Sequence, residues 1–168
     1  MIGFGIVLGL FIVIFTQTHK AKIISMRKFK SVLLVDDDPT INFVHKLFLT
    51  EWEVTDQIYT AANGQEALDF LEQSDDFGQE PPSMILLDIN MPVMNGFEFL
   101  EAYESLPESK KASVIMAMLT TSLHEKDREK ASQFISLDSY MSKPLEKEQL
   151  MKVINNYWME MEQKEKAL

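Results

Sequence analysis

Three short apolar runs, far apart in the chain, each change character at their C-terminal end. Ser31-Val32-Leu33-Leu34-Val35 runs into Asp36-Asp37-Asp38, Met84-Ile85-Leu86-Leu87 into Asp88, and Ser139-Tyr140-Met141-Ser142 into Lys143-Pro144. Each run has the length and the aliphatic or β-branched content of a buried strand. Ligands of parallel sheets bind at the C-terminal edge of the strands. Parallel strands of this kind would therefore bring the acids and the lysine to one edge, so a single pattern points to both a fold and a chemistry.

The segments between these runs alternate with them. Pro39 suits the first turn of a helix, and Ile41, Val44, Leu47 and Phe48 follow at helical spacing. A strand is read near residues 57–61. Asn63-Gly64 is a turn signal ahead of a helix carrying Ala67, Leu68 and Leu71, and residues 74–83, polar with two prolines, form a loop. Phe97, Leu100 and Tyr103 lead a third helix after the loop 91–96, and a fourth strand covers 114–119 before Thr120. A weakly amphipathic helix is read over 125–134. In the last helix Leu150, Val153, Ile154, Tyr157, Trp158 and Met161 make a continuous apolar stripe. Strand–helix alternation predicts an α/β fold, a doubly wound five-stranded parallel sheet with right-handed crossovers.

Charge is distributed unevenly. Residues 1–30 hold five Lys/Arg and no acid; the remainder holds 11 Lys/Arg against 26 Asp/Glu, a net −15. So acidic a body repels phosphate backbones, which argues against nucleic acid as a partner, and attracts hard cations and basic protein surfaces. With no cysteine in the chain, thiolate metal sites, thiol nucleophiles and disulfides are excluded. His19, His45 and His124 have no metal-ligand spacing.

Residues 1–15 carry no polar side chain, but about 15 helical residues span roughly 22 Å against a ~30 Å hydrocarbon core. Two readings stand. One is a membrane anchor, which the following basic cluster would orient with the rest of the chain on the inner, cytoplasmic face. The other is an over-long start, because a cytoplasmic domain beginning at Met26 would be complete. The chain divides accordingly into an apolar segment 1–25, a basic linker 26–30, a domain over 31–160 and a tail 161–168, too short for an output domain.

Three acids at one strand end repel one another unless a cation sits among them. Mg²⁺, which prefers a few carboxylates plus waters and phosphate oxygens, suits them. Asp38 also reads as the N-cap ahead of Pro39. Asp88, alone at its strand end, is a plausible phosphoryl acceptor beside such an ion. Thr120 would donate to a phosphoryl oxygen or cap a helix, and Lys143 would pair with Asp88 and then with the phosphate.

Taken in order, Val-Asp36-Asp37-Asp-Pro, Leu-Leu-Asp88-Ile-Asn-Met-Pro-Val-Met-Asn-Gly96, Leu-Thr120-Thr-Ser and Tyr140-Met-Ser-Lys143-Pro144 resemble the receiver domain of two-component response regulators, of the CheY-like single-domain kind, over about residues 30–160. The resemblance implies a flavodoxin-like receiver fold and a signalling phosphoprotein rather than a turnover enzyme. Asp88 would be the phosphoacceptor, and Asp36, Asp37, Asp88 and the backbone carbonyl of Asn90 the Mg²⁺ ligands. Thr120 and Tyr140 would be switch residues, Lys143 would contact the phosphate, and a cis bond would precede Pro144. The side chains of Asn90 and Ser122 lie where the family tunes loss of the phosphate. Partners would be a sensor histidine kinase or histidine phosphotransfer protein and a downstream protein, reached through the face of the fourth helix, fifth strand and fifth helix.

Two other functions compete. A receiver fold used only for docking would need no phosphate, although such forms usually lose the acids or the lysine. Asp36-x-Asp38-x-Thr40 resembles the first motif of haloacid dehalogenase-type phosphatases, but no acidic pair follows Lys143 and Asp88 would be left without a role.

Overall fold

The computed structural model describes residues 27–73, 80–112, 129–134, 137 and 139–167, together with the backbone of 115–120. Residues 1–25, which carry the apolar segment, lie outside them. Among the described residues no helix is long and apolar enough to cross a membrane.

The elements follow as β1 (Val32–Val35), α1 (Pro39–Glu51), β2 (Ile58–Ala61), α2 (Gly64–Gln73), β3 (Met84–Asp88), α3 (Gly96–Glu104), β4 (Ile115–Thr120), β5 (Ser139–Ser142) and a C-terminal helix (Lys147–Lys166). The described strands form one parallel sheet in the order β2-β1-β3-β4-β5. Strand order reverses between β1 and β3, so the loops leaving those two strands diverge to opposite faces and leave a crevice at their C-terminal ends.

β1 and β3 are buried on both faces, as their unbroken apolar sequence requires. Their side chains alternate between two cores. Leu33, Val35, Ile85 and Leu87 meet Leu68 and Leu71 of α2 and Phe99 and Leu100 of α3. Val32, Leu34, Met84 and Leu86 meet Leu49 of α1 and Leu150 and Ile154 of the C-terminal helix. Truncating one such leucine to alanine costs about 2–5 kcal/mol, so the central strands anchor whatever their C-terminal ends carry.

Three details depart from the sequence reading. On α1 the buried residues are Asn42, His45 and Leu49, whereas Leu47 is exposed and Ile41, Val44 and Phe48 are half-buried. Polar groups occupy the buried stripe because a polar site lies beneath them. The C-terminal helix runs on to Lys166, through the residues set aside as a tail. Of the helix read over 125–134, residues 129–134 are described and 129–131 are helical.

Candidate functional site

β1, β3 and β5 deliver their terminal charges to one place. Ligand atoms of Asp36, Asp37 and Asp88 lie within 4.8 Å of one another. The Lys143 ammonium bridges two of them, 2.5 Å from Asp36 Oδ2 and 3.0 Å from Asp88 Oδ1. Asp36 and Asp88 are buried, while Asp37 faces solvent. The bond from Lys143 to Pro144 is cis.

Local chemistry fixes each group. The Asp36 main-chain N–H donates to the Ala61 carbonyl at 3.1 Å, its Oδ1 accepts from the Asp38 N–H at 3.0 Å, and its carbonyl accepts from Asn42 Nδ2 at 2.7 Å. Asp38 turns away from the cluster and caps α1, accepting from the Thr40 and Ile41 N–H groups. The Thr40 bond leads in holding its carboxyl below the usual range. Behind Asp88 the chain closes tightly. A Cβ on Gly96 would lie 2.5 Å from the Asp88 carbonyl oxygen and 2.9 Å from Ile89 Cα, so only glycine lets α3 start there. Asn95 and Glu98 form a capping box over that start. In the same loop Val93, 83% exposed, takes a φ of 68°, a conformation that costs a β-branched residue about 1–2 kcal/mol.

Electrostatics set Asp88 apart from the other acids. Burial pushes its pKa up. The hydrogen bond and charge of Lys143 pull it back, and neighbouring Asp36 raises it again. For Lys143, burial opposes the charged form, but the hydrogen bonds to Asp36 and Asp88 outweigh it and hold its pKa above the ordinary lysine value. One ammonium thus serves two buried carboxylates and sits closer to Asp36. Oxygen ligands alone, and more acid than the lysine offsets, suit a hard divalent ion such as Mg²⁺.

The other predicted residues are placed as follows. Thr120 ends β4, its backbone registered against Ser142; its side chain, like all of Thr121 and Ser122, lies outside the described residues. Tyr140, on β5, is half-buried against the α2/α3 core. Asn90 is exposed two residues beyond Asp88. Sequence reasoning missed Asn42 and His45. Burial pushes the His45 pKa down against the pull of Asp36, with Lys143 adding to the decrease. Their spacing three apart, in the first two turns of the helix that follows Asp36, was the available signal.

Comparison with known proteins agrees with this geometry. The sequence pattern of the response regulator receiver domain matches residues 32–155. Response regulator Rcp1 of Synechocystis sp. is 30% identical over 135 residues, covering 78% of this chain and 90% of that protein. Among solved structures, a two-component response regulator from Cytophaga hutchinsonii shares 32% identity at a TM-score of 0.71, covering 79% of this chain and 98% of the other. A phosphorylated cyanobacterial phytochrome response regulator, RcpA, shares 26% identity at a TM-score of 0.60, covering 76% of this chain and 89% of its own. Proteins of this class act in phosphoacceptor signalling and are not turnover enzymes. With the acids, the lysine and the sheet order in place, the chain belongs to the response regulator receiver domain family of two-component systems.

Proposed function

We propose that this chain is a receiver that takes a phosphoryl group on Asp88 from a phosphohistidine of a sensor histidine kinase or a histidine phosphotransfer protein. The observation that carries the reading is the shared lysine: Lys143 touches both Asp36 and Asp88, leaving the acceptor carboxylate in an acidic cluster that one cation does not neutralise. The phosphoacceptor unit is taken as residues 31–160, working in the cytoplasm, where such donors act.

An Asp88 carboxylate oxygen attacks phosphorus. The donor's P–N bond breaks, a P–O bond forms, and the imidazole leaves with the electron pair and takes up a proton from solvent. Mg²⁺, held by the carboxylates of Asp36, Asp37 and Asp88 and the main-chain carbonyl of Asn90, would supply positive charge against the transferring group. Lys143, already within reach of Asp88, pairs with the phosphoryl oxygens once the carboxylate has become an acyl phosphate. The hydroxyl of Thr120 would donate to one of them, and Tyr140, registered against Met118 two residues before it on β4, would repack against the core. The altered face presents the signal to a protein partner or hands the phosphoryl group on.

The test is phosphorylation of the full chain by acetyl phosphate, with Mg²⁺ or with chelator, read on a phosphate-affinity gel. A Mg²⁺-dependent shifted band that Asp88→Asn abolishes is expected. No band with either acetyl phosphate or a phosphorylated histidine phosphotransfer protein would leave a docking module, and a band lost in Asp36→Asn but kept in Asp88→Asn would indicate phosphatase-like chemistry.

A further inference from the structure

Asn42 has no evident reason to be where it is. Asparagine is a poor residue for a helix interior, and this one occupies the buried stripe of α1 that continues in His45 and Leu49. Its two side-chain atoms are used differently. Nδ2 donates to the main-chain carbonyl of Asp36 at 2.7 Å. Oδ1 is buried and has no partner. A buried acceptor left unpaired costs about 1–3 kcal/mol, so a helix that retains one calls for an account.

The surroundings supply it. Asn42, Asp36 and Asp37 line the same cleft, about 340 Å³ in volume. The Nδ2 bond completes the set that immobilises Asp36, whose N–H, carbonyl and both carboxylate oxygens then all have partners. Asp37 follows directly on the clamped carbonyl and faces solvent, so the direction in which it leaves the strand is set through Asn42.

The geometry assigns Asn42 as a positioning residue for the cation: through its bond to the Asp36 carbonyl, Nδ2 orients the Asp36–Asp37 peptide and with it the Asp37 ligand. This rests on the Mg²⁺ reading above. Groups that orient metal ligands without touching the metal typically account for 10–100-fold in affinity.

Calorimetric titration of the full chain with MgCl₂ alone tests it, comparing wild type, Asn42→Leu, Asn42→Ser and, as a control on the same buried stripe, Leu49→Ala. Asn42→Leu is expected to raise the Mg²⁺ Kd by about 10–100-fold, and Asn42→Ser by less. Leu49→Ala should lower Tm and leave Kd unchanged. If the leucine variant does not fold, the serine variant decides. A wild-type Kd in the folded Asn42 variants overturns the assignment, as does a Leu49→Ala variant that loses Mg²⁺ to the same degree. No heat of binding in the wild type would instead overturn the cation site itself.

Discussion

The two edges of the sheet are built on opposite principles. At the N-terminal edge Phe29 is 3% exposed, stacked on Trp158 at 5.3 Å and tilted against Tyr157 at 5.9 Å, with Arg27 over the indole. Charges there stay outside: Lys28 pairs with Asp56 and Lys30 with Glu80 in solvent. At the C-terminal edge the order is inverted. Carboxylates of Asp36 and Asp88 are buried and the ammonium of Lys143 is half-buried between them, and the exposed groups include the apolar Phe43 and Val93. Burying aromatic surface stabilises the fold, whereas burying like charges costs stability unless something pairs them. One edge thus closes the domain and the other holds the charges a phosphoryl acceptor needs.

The contrast can be broken at either end. Phe29→Ala is expected to cost about 3–5 kcal/mol while leaving the increment in stability on adding Mg²⁺ unchanged; urea denaturation with and without Mg²⁺ reads both. A lost Mg²⁺ increment would mean that the edges are not independent. Lys143→Met should cost about 3 kcal/mol in chelator, because it leaves two buried carboxylates facing each other, and Mg²⁺ should recover part of that loss.

Gly96→Ala joins the two effects. Its methyl meets the Asp88 backbone, which can yield only by moving Asp88, so about 1–3 kcal/mol of stability and, under the proposed function, most of the acetyl phosphate reaction should go together. An alanine variant that phosphorylates at the wild-type rate would show that the turn behind Asp88 tolerates displacement.

The smallest expected effect is one of pH. Burial holds His45 below its ordinary pKa. The unfolded chain therefore binds a proton that the native chain does not once pH falls below about 6.5, and stability should decline from there. Asp88, held above its ordinary value by burial, works in the other direction, its native form gaining stability as it protonates. In chelator, Tm followed from pH 7.5 to 5 should fall less steeply in His45→Leu than in wild type; identical slopes would remove His45 from the acid limb.

Much of this was legible before any coordinates. β1 and β3 announce themselves because a strand buried on both faces must be apolar throughout, and a carboxylate at its end then has no reading as ordinary surface; β5, a half-buried edge strand, is marked instead by the lysine and proline that follow it. The receiver fold follows from the same runs. What could not be read is the rotation of α1. Ile41, Val44, Leu47 and Phe48 have the spacing of a core stripe, yet Asn42 and His45 are buried in their place. Helical periodicity weighs side chains by hydropathy, and here a hydrogen bond from Asn42 to the Asp36 carbonyl outweighs it. Local pattern also has no access to the division of Lys143 between two acids, which arises only when three strands meet.

That meeting has a consequence in time. Asp36 and Lys143 are separated by 107 positions, and β3 must lie between their strands before the lysine can reach Asp88. Long loops have to close before such contacts form, which makes parallel topologies slow to assemble. A chain still short of Lys143 has the Asp88 carboxylate and lacks the ammonium that pairs with it. Under the proposed function, competence to carry a phosphoryl group is then a late event in the life of each molecule, gained as the sheet is completed and lost with the first opening of β5.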